Sequence, residues 1–219
     1  MHKWLFRSAT SADIGELVRL EEEIERALPS REMFAIDGPE FYEPIIAGAG
    51  HILLACDAGG IAGVSVIRFP EADDPENLGH CVSLPFPYLT NVRHLESVFL
   101  RSDCRGTRLA ETVIRMNLDH TSASGRNISM ATVWPMNIPS LRLHLGLGMH
   151  IRAYALKYGG KPRFILMDEG KTLSLGERFL SVPVDDLAAH ARLLGSGMTG
   201  TNLIRKDGTY CIEYRSILS

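Results

Sequence analysis

Cysteine is sparse in this chain. Cys56, Cys81, Cys104 and Cys211 are scattered over 219 residues with no CxxC pair. Zinc sites bring their ligands in close pairs, so no metal site is expected, and a reduced, cytoplasmic protein is the plainer reading. Basic charge is also short: 23 Lys and Arg stand against 26 Asp and Glu, a formal net charge of -3. A nucleic-acid binder needs a basic surface for its phosphate contacts, so no nucleic-acid partner is expected. No apolar run approaches the roughly 20 residues that span a bilayer, and no membrane partner is expected. The opening "MHKWLFRSATSADIG" has too short an apolar core for a secretory signal. The chain has no internal repeat and no low-complexity segment. It has no G-x-x-x-x-G-K-[ST], which argues against a P-loop ATPase. "GAGHIL" at Gly48 starts like a dinucleotide fingerprint but precedes a strand instead of following one. His51, His80, His94 and His150 have no metal-ligand spacing.

What is present is the composition of an ordinary folded protein, 45% hydrophobic and 22% charged. "WLFRSATSADIGELVRLEEEIERAL" predicts a strand, a polar turn and a helix, with Leu17, Leu20 and Ile24 at helical spacing and Asp13 as N-cap. The following segment, broken by Pro29, Gly38, Pro39 and Pro44, predicts a short helix and loops. Two strand-like runs flank Asp57-Ala58-Gly59-Gly60, a hairpin signal. Pro70 to Asn91, rich in proline and acid, predicts a long loop. A strand at "RHLESVFLRSD" leads into a helix with a stripe of Leu109, Val113 and Met116, stopped near Gly125. A strand from Asn127 to Trp134, a helix from Asn137 to Leu145, and strands at "RAYALKY" and "RFILM" follow. A helix from Asp185 to Leu194 and a hairpin around Asp207-Gly208 close the chain. This order predicts an α/β protein with a mixed, mostly antiparallel central sheet flanked by helices, and a C-terminal helix and hairpin extension.

"SDCRGTRLAETVIRMNLDH", from Ser102 to His120, places Arg105, Gly106 and Arg108 where a helix begins. Cations oppose the macrodipole there. Helix-start N–H groups lack intrahelical partners and suit an anion, and an arriving anion would satisfy both the amides and the arginines. The alternative is that both arginines are solvated surface residues.

The order resembles the GNAT superfamily of acyl-CoA-dependent N-acyltransferases over about Leu5 to Met167, and three stretches carry the resemblance. "HLESVFLRSDCRGTRLAETVI" is similar to the family's strand and pyrophosphate loop, Arg/Gln-x-x-Gly-x-Gly/Ala. Arg105 fits its first position and Ala110 its last, while Arg108 replaces the central glycine. "NIPSLRLHLGLGM" is similar to Asn-x-x-Ser/Ala-x-x-Leu-Tyr-x-x-x-Gly-Phe. Asn137, Ser140, Leu143 and Gly148 fit, His144 stands at the tyrosine and Met149 at the phenylalanine. "FRSATSADIGELVRLEE" resembles the family's first strand and helix.

The resemblance implies a domain over residues 1–168 and an extension over 169–219 that completes the sheet, covers its edge or joins a homodimer. It implies acetyl-CoA as co-substrate, no metal, and transfer of an acetyl group to a primary amine of a small molecule, peptide or protein. The implied CoA-binding residues are Val98, Phe99 and Leu100 beside the pantetheine, then Arg105, Gly106, Thr107, Arg108, Leu109 and Ala110 at the pyrophosphate, with Asn137 and Ser140. The implied general base is Glu96, whose pKa burial would raise; the other reading pairs it with a neighbour such as Arg93 or His94, or leaves it at a solvated strand end. His144, as an imidazolium, takes the place of the tyrosine that protonates the departing thiolate, and Tyr154 is the alternative acid. Leu28 to Ile46 and Pro70 to Asn91 would shape the acceptor pocket. The rival reading is a non-catalytic acyl-CoA-binding or sensing module.

Overall fold

The structure, a computed structural model, describes residues 4–27 and 37–218. Along the chain run β1 (Leu5–Ser8), α1 (Ile14–Ala27), α2 (Pro39–Pro44), β2 (Gly50–Asp57), β3 (Gly60–Arg68), α3 (Phe86–Leu89), β4 (Val92–Leu100) and α4 (Leu109–His120). Then come β5 (Ile128–Val133), α5 (Ile138–Gly146), β6 (His150–Lys157), β7 (Lys161–Asp168), β8 (Leu175–Pro183), α6 (Leu187–Gly195), β9 (Met198–Lys206) and β10 (Thr209–Ile217). These form two compact units: Met1–Pro70 with Arg93–Arg126, and Glu71–Val92 with Asn127–Ser219. Every strand pairing within either unit is antiparallel. The α/β, mostly antiparallel class expected from the sequence is the one observed.

In the first unit the strands are ordered β1-β2-β3-β4. Leu17, Leu20 and Ile24 of α1 pack with Tyr42 of α2 and with Ile52, Leu54, Val64, Val66 and Phe99 of the sheet. Asp13 does not cap α1 as expected. Its carboxylate accepts the Thr10 N–H at 2.7 Å and both Arg7 guanidinium nitrogens at 2.8 and 2.6 Å, closing a separate turn before the helix. The Arg7 hydrogen bonds, against an opposing cost of burial, hold the Asp13 carboxyl well below the usual range. Residues 28–36 of the predicted acceptor segment lie outside the described residues; α2 is the short helix in the described part.

In α4 the buried residues are Leu109, Val113, Ile114 and Asn117. Met116, expected in the stripe, is 39% exposed, and Asn117 takes the inward place at 0%. Asn117 succeeds there because all its polar capacity is used. Its Oδ1 faces His51 Nδ1 at 2.7 Å, and its Nδ2 donates to Ser65 O at 2.8 Å and Ser65 Oγ at 3.1 Å. Gly63 on β3 lets the helix seat closely, since a Cβ there would stand 2.8 Å from Leu100 and 3.2 Å from Leu109.

The second unit orders its strands β5-β7-β6-β9-β10-β8. Leu78, Ile128, Met130, Ile165 and Met167 form its core cluster. The Pro70 to Asn91 segment, expected as a loop, carries a 3-10 turn at Leu78–Val82 and then α3. Buried Asn77 organises it: Oδ1 accepts the Gly79 N–H at 3.0 Å, and Nδ2 donates to Glu71 O at 3.0 Å and Leu89 O at 3.2 Å. Residues beyond 168 belong to this unit, where β9 pairs with β6 at Gly200 and Ile151. β8, unread in the sequence, pairs with β10 and is mostly exposed, so it has no alternation of apolar residues to betray it. Among the described residues no helix is long and apolar enough to cross a membrane.

Candidate active site

β4 carries Glu96, the candidate base. Its pairing with β3 steps from Val66–Ser97 to Ile67–Leu95, which leaves Glu96 unpaired at a bulge. Bulges re-aim side chains, and Glu96 meets Arg68 Nε at 2.6 Å and His94 Nδ1 at 3.2 Å. Burial pushes its pKa up, but His94 and Arg68 together outweigh that, and the net shift is downward. The upward shift expected from the sequence is therefore reversed. Arg93, the partner considered for Glu96, turns instead to Leu118 O and Thr121 Oγ1, each at 2.8 Å. Along the rest of β4, Phe99 is buried in the core beside α1, while Val98 and Leu100 are half-buried.

The loop between β4 and α4 is held from below. Arg101 forks onto Asp57 at 3.0 and 2.7 Å and onto Asp103 at 2.8 and 3.1 Å, tying the loop to the β2–β3 hairpin. Gly106 adopts φ +75°, where a side chain would be strained. Thr107 is the working cap of α4: its Oγ1 accepts the Leu109 N–H at 3.2 Å and donates to Cys104 O at 2.7 Å. Leu109 itself is buried, and Ala110 is half-buried. The N–H groups of Gly106, Thr107 and Arg108 have no hydrogen-bond acceptor among the described residues. Arg105 is exposed, and its guanidinium has no hydrogen bond or ion pair among them. Arg108, 88% exposed, reaches Glu111 at 3.4 Å. Its φ of -82° explains why glycine is dispensable there: the left-handed residue of this loop is Gly106.

In the second unit, Asn137 caps α5 through Oδ1 and the Ser140 N–H at 3.2 Å. His144 is 5% exposed, and its Nδ1 lies 2.8 Å from Ser140 O. A carbonyl only accepts, so Nδ1 carries the proton. Burial lowers the His144 pKa, and the bond to Ser140 offsets this in part. The neutral ring is thus the resting form, and the imidazolium read from the sequence is disfavoured. Tyr154 of β6 is half-buried, edge-on to Phe164 at 6.5 Å between centroids. No hydrogen bond joins it to His144 among the described residues. Among those residues no group of three or more His, Cys, Asp or Glu side chains is placed to hold a metal.

No family model matches the chain, and no curated protein matches it in sequence. Solved structures do. An acetyltransferase from Salmonella typhimurium, solved with acetyl-CoA, aligns at TM-score 0.59 and 16% identity over 80% of this chain and 98% of its own. Diaminobutyrate acetyltransferase from Paenibacillus lautus, solved with L-2,4-diaminobutyric acid and coenzyme A, aligns at 0.57 and 14% over 80% and 100%. An acetyltransferase of the GNAT family from Streptococcus pneumoniae aligns at 0.56 and 17% over 76% and 99%. The fold is the GNAT fold.

The sequence pattern located the β4–α4 loop and α5, but three polar features of the first unit escaped it. Arg101 lies between the motif's strand and its loop. Asp37 accepts the Ser97 hydroxyl at 3.3 Å, and its N–H donates to Glu21 Oε2 at 3.2 Å. One signal did exist for Glu21. It occupies the inward position of the stripe Leu17, Leu20, Glu21 and Ile24, where an apolar residue belongs.

Proposed function

We propose that the protein transfers an acetyl group from acetyl-CoA to a primary amine. The observation that carries this is the open N–H cluster at Gly106, Thr107 and Arg108, beside the unpaired Arg105, on a GNAT fold. Such a helix start suits the pyrophosphate of coenzyme A. Arg105 adds a charge-assisted contact, and Arg108 a second once it leaves Glu111. The backbone of Val98, Phe99 and Leu100 lies along the pantetheine. Two of the similar structures were solved with acetyl-CoA or coenzyme A, and one of those with an amine substrate. In the transfer the amine nitrogen bonds to the thioester carbonyl carbon, the C–S bond breaks, one amine proton passes to a base and the thiolate takes up a proton. Glu96 is the base candidate on β4; Tyr154 is the better acid candidate, since His144 rests neutral. The acceptor is a small molecule, peptide or protein amine in the cytoplasm.

A thermal melt with millimolar acetyl-CoA tests the first step. A ligand at 100 times its dissociation constant adds about 2.7 kcal/mol to stability, and a melt that does not move refutes the assignment. The paired Glu96 and the neutral His144 favour a second reading, an acyl-CoA-binding module without turnover. A panel of primary amines with acetyl-CoA, read by free-thiol release, separates the two: binding without thiol release supports the module.

A further inference from the structure

Ser8, His51 and Asn117 come from three elements of the first unit, β1, β2 and α4, and join in one chain of hydrogen bonds. Ser8 Oγ lies 2.8 Å from His51 Nε2, and His51 Nδ1 lies 2.7 Å from Asn117 Oδ1. The direction of the chain is fixed from its buried end. Asn117 Nδ2 stands 2.8 Å from Ser65 O, and a carbonyl only accepts, so the amide nitrogen faces Ser65 and the amide oxygen faces His51. That oxygen also only accepts, so His51 carries its proton on Nδ1. Nε2 is left with its lone pair, and the Ser8 hydroxyl donates to it. His120, stacked on His51 at 4.0 Å between centroids and 24° between planes, keeps the ring in this orientation. Burial holds the His51 pKa below its ordinary value, against the Asn117 hydrogen bond, with His120 lowering it further. The resting ring is therefore neutral, the form that takes up a proton. Exposure rises along the chain: Asn117 is 0% exposed, His51 is half-buried and Ser8 is exposed. The hydroxyl proton points at a base, and the oxygen is open to solvent.

We propose that Ser8 is a nucleophilic site, with His51 as its general base and Asn117 as the positioning residue, that takes an acyl group from small carboxylic esters with good leaving groups. A nucleophile, a base in hydrogen-bond reach and a third group that orients the base are the parts such chemistry needs. The site is separate from acetyl transfer to an amine and uses no coenzyme. In the step, Ser8 Oγ bonds to the ester carbonyl carbon while its proton passes to His51 Nε2. The bond from that carbon to the leaving oxygen then breaks, and the leaving oxygen takes the proton from Nε2. The products are an acyl-serine and a free alcohol, and His51 returns to the neutral ring. Exposure sets the substrate class. Ser8 ends the first strand of the sheet order and meets its ester from solvent, so the reactivity of the ester decides what reacts.

The test uses the full chain without acetyl-CoA, so its outcome is independent of the CoA-binding melt. p-Nitrophenyl acetate is the probe, and the label is read by intact mass and located by peptide fragmentation. We expect an acetyl group on Ser8, and we expect Ser8→Ala to lose it while its melt with acetyl-CoA matches wild type. A general base contributes about 10²–10⁴-fold, so His51→Gln slows acetylation of Ser8 by about 100-fold or more. Asn117→Asp, which keeps an oxygen on Nδ1, retains the label, whereas Asn117→Ala loses it, the two compared at equal folded fraction. Ser8→Cys reads the base without disturbing the ring or α4. Its thiol is expected to react with iodoacetamide about ten-fold faster than glutathione at neutral pH, through a thiolate stabilised by His51. Acetylation that falls on lysines alone, Ser8 labelled as fast in folded His51→Gln as in wild type, or a Ser8→Cys thiol no more reactive than glutathione would each overturn the proposal.

Discussion

Asn117 and Glu21 are both completely buried polar residues on inward helix faces of the same unit, and they are treated in opposite ways. Asn117 is saturated by His51 and Ser65, and through His51 the network reaches Ser8 Oγ at 2.8 Å. Glu21 has one oxygen on the Asp37 N–H, while its Oε1 lies outside good hydrogen-bonding geometry and is faced only by the Tyr42 hydroxyl. A closed network of this kind fixes the seat of α4 on the sheet, whereas an open one destabilises the native state by itself. The difference separates polar groups that hold the fold from those the fold leaves open. The amides of Gly106, Thr107 and Arg108 belong to the second class, and Asn137, which closes its own helix start, to the first.

The comparison breaks most directly at Asn117. Asn117→Leu strands the Ser65 hydroxyl and carbonyl and a ring nitrogen of His51, and we expect a loss of about 3 kcal/mol in urea unfolding. A loss below about 0.5 kcal/mol would mean the closed network carries no stability. Arg105→Ala, at the open helix start, leaves folding unchanged and weakens CoA binding by about 1.5–3 kcal/mol, one lost charge-assisted hydrogen bond; calorimetry on the variant checks it.

Glu21→Gln sharpens the contrast by running the other way. The folded pKa of Glu21 is raised above that of the unfolded chain, so the folded state binds more protons. Its contribution is therefore full at low pH and is lost as pH rises from the ordinary carboxylate range through about 7. We expect Glu21→Gln to flatten that slope and to stabilise the protein by about 1 kcal/mol at pH 8; melts at pH 5 and pH 8 read it, and a less stable variant at pH 8 would place Glu21 among the closed groups. The smallest effect is at Arg108. Arg108→Gly changes CoA affinity less than about two-fold if its side chain stays with Glu111, a surface pair of little energy. A ten-fold loss would instead show it on the phosphate.

Much of the fold was legible because its periodicities are strong: the α1 stripe, the β2–β3 hairpin and the β4-to-α4 junction all lie where the pattern puts them. The misses have a common cause in long-range contact. Met116 outranks Asn117 in apolarity, and nothing local says that His51 and Ser65 wait for the amide. Asn77 ties the acidic loop together through partners up to 12 residues away. Glu96 was read as a buried base because Arg68, 28 residues earlier, is not visible as its partner until β3 and β4 pair. Glu21 and Asp37 are 16 residues apart and become one feature only when α1 and β4 are in place.

Arg101 bears on how fast a ligand is caught as well as how tightly. By clamping Asp57 and Asp103 with four hydrogen bonds, it immobilises the base of the β4–α4 loop. A loop already frozen in its receiving shape gives up little conformational entropy on association, and more of each encounter's contact energy survives as affinity. Cutting the clamp would then appear first as slower capture, with a waiting time for the loop to find its shape, while the ligand contacts themselves stay the same.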